Sequence, residues 1–288
     1  MIHVKTLMVV FIILLLLSSW YAIPYDPLRV SAFILMGLAM SAVSIIVYYR
    51  RLEFLTAESV HVSLFAVTLG YIVNYLLNIP VLLCAFIAGL LLIYSTQYMM
   101  YKGLSQEKSS AVIVSSTSAF SVMLMYYALT TMPARYSLSS IILGDPLLLT
   151  RFDSSLAIFF SIALFILVII FIREIIETSI DPVSASLTGV KVKYYDVLTY
   201  TAIALASIGF LRLAGYVMEH VLMLLPAIAS SFYSSSLREH VVDTLLLGVS
   251  ATATGFAASL LLNTIPTGLT GLILLLVFLL GSVLRREK

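Results

Sequence analysis

The chain has little charge and almost no cysteine. Of its 288 residues only 10% are charged, whereas soluble domains carry about 25%. The single cysteine, Cys84, excludes a disulfide framework and a thiolate metal cluster. The net charge of +2 comes with no basic run and no basic-aromatic stripe, so nucleic acid is not an expected partner.

Two motifs of ATP-binding and membrane-embedded enzymes are also missing. There is no G-x-x-x-x-G-K-[ST] phosphate loop, so any ATP must be bound by a partner subunit. There is no D-x-x-D motif to hold Mg²⁺ at a membrane face, which an isoprenoid or lipid transferase would need. A membrane-embedded enzyme of this kind is still the main alternative to the function inferred below. A secondary transporter with inverted repeats is another alternative, although the two halves of the sequence show no convincing match. The sequence predicts neither an enzyme nor a permanently bound cofactor.

What the chain does contain is apolar sequence: 61% of its residues are hydrophobic and its mean hydropathy is +1.11. A helix that crosses the hydrocarbon core needs about 20 mostly apolar residues. We therefore predict an all-α bundle of about ten spans, and at least eight, forming one membrane domain over residues 1–288. The first segment lacks a clear cleavage site and is expected to be a retained span. The predicted spans centre near Leu14, Ala39, Val67, Leu90, Thr117, Leu164, Leu205, Met223, Ala253 and Leu274.

Basic residues predict the orientation, because they concentrate in cytoplasmic loops. Alternating ten spans from a cytoplasmic N-terminus places 12 of the 16 basic residues inside. Both termini are then expected to be cytoplasmic. The apolar stretch Tyr136–Thr150 is too short to span and is expected to be interfacial or re-entrant. The inside set is Lys5, Arg50, Arg51, Lys102, Lys108, Arg173, Lys191, Lys193, Arg238, Arg285, Arg286 and Lys288, and the outside set is Arg29, Arg135, Arg151 and Arg212.

Four titratable residues fall inside predicted spans, where charge is costly and usually functional. Glu58 and His61 lie three positions apart and share one helix face. An imidazole nitrogen with a carboxylate oxygen suits zinc, manganese or iron(II). Glu219 and His220 are adjacent and point about 100° apart, so at most one is expected to face a pathway. The alternative for all four is that they reach the headgroups from an interface.

The remaining polar features have simpler interpretations. His3 and His240 fall in predicted cytoplasmic positions and are expected to be solvated. The hydroxyl residues 115–118 crowd one span, which predicts close helix packing.

The longest charged cytoplasmic loop covers residues 173–196. Asp181-Pro182 is a helix start signal, Ala185 is small, and Gly189 can end the helix. A short helix of this kind, outside the bilayer, suits docking into a groove on a partner.

Together these segments resemble the ABC permease family that imports zinc, manganese or chelated iron. Asp181–Gly189 is similar to its D-P-x-x-A-x-x-x-G loop, and Gly215–Ala227 to its G-x-L-L-V-x-A-L-L-x-x-P-A span. Arg50–Gly70 is similar to R-R-x-x-F-x-x-D-x-x-S-H-A-x-x-x-G-V-x-L-G, and Ile142–Gly144 to an L-F-G turn. The resemblance implies a homodimer in a prokaryotic plasma membrane, with an ion pathway along the dimer interface. It also implies an ATPase subunit that grips the Asp181–Gly189 segment and an extracytoplasmic metal-binding protein.

The chain departs from that pattern where the ion is expected to pass. The family's aspartate aligns with Ala57, and a Val-Ser pair is replaced by Glu219-His220. The resemblance therefore carries a metal-handling role only to His61, with Glu58 as a displaced carboxylate.

Overall fold

The computed structural model describes residues 2–132 and 144–286, and every regular element in those ranges is helical. A 3-10 turn occurs at Pro146–Leu148. The helices are α1 (Ile2–Ala22), α2 (Pro27–Arg50), α3 (Glu53–Leu77), α4 (Val81–Tyr101), α5 (Gln106–Thr131), α6 (Arg151–Ile180), α7 (Pro182–Leu187), α8 (Val192–Ser230), α9 (Leu237–Leu262) and α10 (Pro266–Arg286).

Polar residues set the helix ends. Asp26 accepts a hydrogen bond from the Arg29 amide at 3.2 Å, and Pro27 opens α2. Thr150 and Asp153 form a capping box at the start of α6. At the C-terminal end of α3, Asn78 adopts the left-handed backbone conformation that commonly ends a helix. These caps satisfy backbone groups that the helix itself leaves free.

Eight of the helices are long and apolar enough to cross a membrane. The two other predicted spans form shorter apolar helices within the described residues, Val9–Ala22 and Met218–Ser230. The prediction of an all-α membrane bundle of eight to ten spans is confirmed. Most of the stretch expected to be interfacial, including Ile142 and Leu143 of the turn motif, lies outside the described residues.

The 39-residue helix α8 consists of two halves that run in opposite directions. Gly215 interrupts it with φ 76° and ψ 159°. Before the break, Asp196 pairs with Arg50 at one end of α2, and Arg212 pairs with Asp153 at the other end of the bundle. After the break, the carbonyl of Ala227 lies 2.8 Å from His240 Nε2, back at the Arg50 end. Residues 192–214 and 216–230 are therefore two successive membrane segments.

The reversal at Gly215 needs glycine twice. A Cβ on Gly144 would lie 2.1 Å from the Gly215 nitrogen, so the two backbones touch. Gly144 also has φ 59°, a region that side chains disfavour. The Thr267 hydroxyl at the start of α10 donates to the Gly144 carbonyl at 3.1 Å.

Helix α2 and the first half of α8 (residues 192–214) form the centre of the bundle. Helices α4 and α6 lie at its edge. In the apolar window of α2, 78% of residues are buried, against 17% in that of α6. Helix α3 packs on α4, α5 and α8. Its polar side chains can therefore reach three different neighbours.

Candidate functional site

His61 stands within the membrane bundle, eight residues into α3 and so about 12 Å from its start. Its Nδ1 is 3.0 Å from the Ser118 hydroxyl of α5. The Tyr216 hydroxyl is 3.0 Å from both ring nitrogens, and the Tyr216 ring meets the imidazole edge-on. Three spans thus converge on one imidazole.

A cavity of about 280 Å³ adjoins this imidazole. Apart from His61, Tyr216 and two serines, its lining is apolar. The cavity is lined by His61, Leu64, Ser118, Ser121, Val122, Met125 and Tyr216. The described residues thus leave open space beside the only histidine of α3.

Glu219 lies one turn after Tyr216 and is fully buried. Its Oε2 accepts a hydrogen bond from Ser63 of α3 at 3.3 Å, and its Oε1 is buried without a partner. His220 follows it directly in the chain and is partly buried. The Gly215 turn therefore brings the Glu219-His220 pair to the stretch of α3 that holds His61.

Glu58 faces a different neighbour. It is fully buried, and one carboxylate oxygen accepts a hydrogen bond from the Thr96 hydroxyl of α4. The carboxylate also interacts with Ser110 of α5. Glu58 and His61 therefore have different partner residues, although α5 contributes to both.

One subunit does not assemble a full metal-binding cluster. Across residues 2–132 and 144–286, no three His, Cys, Asp or Glu side chains come together closely enough to hold an ion. His240, expected to be solvated, is instead buried, with its Nδ1 2.8 Å from the Tyr49 hydroxyl. It sits at the Arg50 end, apart from His61.

The Asp181–Gly189 segment forms the short helix expected from its sequence. The Asp181 carboxylate accepts hydrogen bonds from the Val183 and Ser184 amides. Hydrogen bonds from the Ser184 hydroxyl and backbone hold the pKa of Asp181 below its usual range. Pro182 begins the helix, and Gly189 follows it with φ 91°. These two residues therefore have the structural roles predicted for them.

The orientation of Ala185 differs from the simple picture of a docking face made of small residues. Its methyl group is only 8% exposed, whereas Leu187 is 82% exposed. The exposed surface of α7 therefore combines the apolar side chains of Val183 and Leu187 with the small Ser184 and Ser186.

Sequence reasoning alone missed Tyr216 and Ser118 as partners of His61. Residues 115–118 were expected only to pack, and Ser116 and Thr117 do hydrogen-bond to their own helix. Ser118 is the exception because its position faces α3. The sequence offered one indication that Tyr216 belongs to the site: it lies directly after Gly215 and shortly before Glu219-His220.

The chain is similar to known transport proteins. A family model described as the ABC 3 transport family matches residues 28–285. The chain is 25% identical over 222 residues to the manganese import system permease protein ScaB of Streptococcus gordonii, with 77% of each chain covered. It is 24% identical over 246 residues to the manganese transport system membrane protein MntC of Bacillus subtilis (strain 168), which covers 84% of this chain and 56% of that protein.

The fold is also similar to a solved structure. A chain of PsaBC from Streptococcus pneumoniae in complex with Fab superposes with a TM-score of 0.76 at 21% identity. The match covers 88% of this chain and 89% of that one. With a family match over nearly its whole length, the chain belongs to the ABC 3 transport family, as a transport subunit and not an enzyme.

Proposed function

We propose that this protein is the permease subunit of an ABC importer that moves a divalent transition-metal ion, with manganese as the first candidate. The observation that carries the proposal is the convergence of His61, Tyr216 and the Glu219-His220 pair inside the bundle. Manganese is preferred over zinc and iron because the similar proteins are named as manganese permeases.

The chemistry of the site supports a transported ion better than a resident one. Imidazole nitrogen and carboxylate oxygen suit first-row divalent metals. A single subunit brings the Glu219-His220 pair of α8 to the stretch of α3 that carries His61, without a three-ligand cluster among the described residues. A transported ion must also leave, so a weak set of ligands is an advantage.

A homodimer explains why one subunit holds too few ligands. The cavity at His61 includes Val122, an exposed side chain of α5. A second copy packed on that face would bring its own histidines to the same space. We therefore place the pathway along an interface between two copies, with His61 in each wall.

Glu58 is proposed as a second carboxylate on the pathway. Its carboxyl group is fully buried, and burial of a charge is costly. A passing cation would relieve that cost. Because Glu58 faces Thr96 of α4, it is a separate point of contact and not a second ligand beside His61.

The partner subunits are assigned to opposite ends of the bundle. A separate ATPase binds the segment formed by Asp181, Pro182, Ala185 and Gly189, at the end that holds Arg50. An extracytoplasmic metal-binding protein docks at the Asp153 end. Residues 1–288 form one membrane domain with both termini in the cytoplasm, and the 12 to 4 division of basic residues supports that orientation.

The test is uptake of radiolabelled manganese, zinc and iron by the complex reconstituted in vesicles. We expect His61→Ala to reduce manganese uptake at least tenfold while the ATPase still co-purifies, since removal of a ligand weakens capture without touching α7. His240→Gln is the matched control, because His240 is likewise a histidine beside a tyrosine hydroxyl. Its uptake per folded complex should stay near wild type.

Two results would overturn this assignment. Wild-type transport of all three ions by His61→Ala would make His61 a packing residue. Equal losses in the His61 and His240 variants would show that only the fold is being disturbed.

A further inference from the structure

One side chain connects both ends of the segment that contains α7. Arg50 is the last residue of α2, and its side chain is only 9% exposed. Its Nη1 donates to the Asp196 carboxylate near the start of α8. Its Nη2 donates to the Thr178 hydroxyl near the end of α6, at 2.7 Å. Because α7 lies between Thr178 and Asp196 in the chain, one guanidinium joins both flanks of α7 to α2.

Both partners of Arg50 are held in place. Thr178 is buried, and its hydroxyl donates to the Glu174 carbonyl of its own helix at 2.8 Å. The oxygen of that hydroxyl is then available to accept from Arg50. Asp196 is the one carboxylate that pairs with Arg50 among the described residues. A guanidinium presents its donors in a rigid planar fork, so these two bonds fix the separation between the end of α6 and the start of α8.

Arg50 also lies directly before the helix that carries the candidate ion ligands. Arg51 has a left-handed backbone with φ 53°, and the amides of Arg51 and Leu52 donate back into the last turn of α2. This is the hydrogen-bond pattern of a Schellman motif, and α3 begins at the next residue. Glu58 and His61 lie within about the first three turns of α3. A displacement of Arg50 is therefore passed to the start of α3 through a short, hydrogen-bonded turn.

Helix α7 has few other attachments to the bundle. It packs on α6 and α8, the two helices that flank it, and Ala185 is the one buried residue among its six. Movement of α7 by a partner could therefore bend the segment without moving the membrane helices. The Arg50 contacts oppose such bending, because they join the ends of α6 and α8 to α2, whose apolar window is 78% buried.

We propose that Arg50 is the positioning residue that couples α7 to the ion pathway. When the ATPase moves α7, the Arg50 guanidinium moves the ends of α6 and α8 together with the start of α3, and so changes the space around His61. This inference rests on the proposed docking of the ATPase at α7, but it does not depend on which ion is carried. It separates two activities: without Arg50 the complex still assembles and hydrolyses ATP, but hydrolysis no longer drives the pathway.

The test follows access to the cavity at His61 in the assembled complex, reconstituted in vesicles. Leu64→Cys, made in a Cys84→Ala background, places a thiol in the lining of that cavity. Its rate of alkylation by a small maleimide is measured with and without ATP trapped by vanadate. We expect trapping to change the rate about tenfold when Arg50 is present and less than about twofold in Arg50→Gln, a loss in the range for residues that link two sites.

Arg51→Gln is the matched control. Arg51 is the neighbouring residue, is exposed and forms no ion pair within the described residues, so its substitution makes the same change in net charge. Its response to ATP should match that of wild type. Asp196→Asn tests the contact itself, because two residues that act through one contact are not additive. The double variant of Arg50→Gln with Asp196→Asn should lose no more of the response than Arg50→Gln alone.

Thermal unfolding and co-purification of the ATPase separate coupling from folding. A full ATP response per assembled complex in Arg50→Gln, with or without a lower yield, would overturn the proposal, because Arg50 would then serve only the fold. Equal losses in the Arg50 and Arg51 variants, or no ATP response in wild type, would also overturn it. If Arg50→Gln does not assemble, Thr178→Val decides: it keeps the ion pair with Asp196, and an undiminished response there would reject the coupling role.

The measurement distinguishes this inference from the proposed cargo. A complex that shows the ATP response at Leu64→Cys but takes up no manganese would contradict the proposed ion alone. A complex that takes up manganese at the wild-type rate per ATP in Arg50→Gln would contradict the coupling role alone.

Discussion

At the scale of single residues, the relation between His61 and Tyr216 decides how an ion could bind. The phenol hydroxyl lies 3.0 Å from each ring nitrogen. A metal ion needs a free lone pair on one imidazole nitrogen. The Tyr216 hydroxyl lies next to both nitrogens and therefore occupies the space that a metal ion would need. Tyr216 is therefore a competitor for His61, and it must move aside when an ion arrives.

We predict that Tyr216→Phe increases the affinity of the assembled transporter for manganese. The ring keeps its packing against His61, but the competing hydrogen bond is lost. A typical hydrogen bond contributes about 1 kcal/mol, so the expected gain is about fivefold. Equilibrium binding of manganese to the detergent-solubilised complex measures it directly.

Ser118→Ala is the comparison for the Tyr216 variant. It removes the other hydroxyl on His61 Nδ1, but leaves Tyr216 in front of the ring, so a smaller change is expected. Weaker binding in Tyr216→Phe would mean that the phenol oxygen is itself a ligand, and the proposed competition would be wrong.

The acidic residue of the site also has an unexpected source. The resemblance places the family's aspartate at Ala57 of α3. In the structure a buried carboxylate approaches α3 from α8 instead, because Glu219 accepts a hydrogen bond from Ser63, two residues after His61. Glu58 lies one turn before His61 and faces Thr96.

At the scale of single helices, α7 shows how a short helix can present a docking surface. It has only six residues, too few to be stable by itself. Asp181 caps it, and Ala185 packs its methyl group inward. The residues left for a partner are therefore apolar ones such as Val183 and Leu187, which are highly exposed.

We predict that Leu187→Arg abolishes co-purification of the ATPase while the permease still folds in membranes. The side chain is exposed, so the substitution leaves the permease core untouched, but it puts a charge into an apolar contact. Ala185→Arg is a poorer test, because it must first displace the buried face of α7. Leu77→Arg, which changes an exposed leucine at the opposite end of the bundle, should retain the ATPase. Full recovery of the ATPase with Leu187→Arg would remove α7 from the interface.

The helices were more predictable from sequence than the contacts of the site. Apolar length alone located the spans, and the two segments centred on Leu205 and Met223 predicted a reversal between them. Gly215 makes that reversal. The i, i+3 spacing correctly put Glu58 and His61 on related faces of α3. The spacing could not show that Glu58 would bond to Thr96 and His61 to Tyr216, because those contacts depend on which helices pack beside α3.

At the scale of the whole molecule, burial is distributed unevenly between a central and a peripheral set of helices. The central pair, α2 and the first half of α8, is mostly buried, while α4, α5 and α6 show long apolar faces. Lipid can cover such faces, and so can a second subunit. The α5 face is the one that reaches His61 through Val122, so it is the face we assign to the homodimer, and the α4–α6 edge is left for lipid.

The orientation of the bundle in the membrane is the prediction on which the placing of both partners depends. Thr150 lies at the end that holds Asp153, and Lys191 at the end that holds Arg50. We expect Thr150→Cys to react with an impermeant thiol reagent in whole cells and Lys191→Cys to react only after the cells are permeabilised. The free Cys84 is partly exposed, so both variants are made in a Cys84→Ala background. Phe152→Cys gives a second outer position that keeps the Thr150 cap. If Lys191→Cys reacts in intact cells and the other two do not, the bundle is inverted. The ATPase would then have to bind at the Asp153 end, where α7 is absent, and the proposed importer would be wrong.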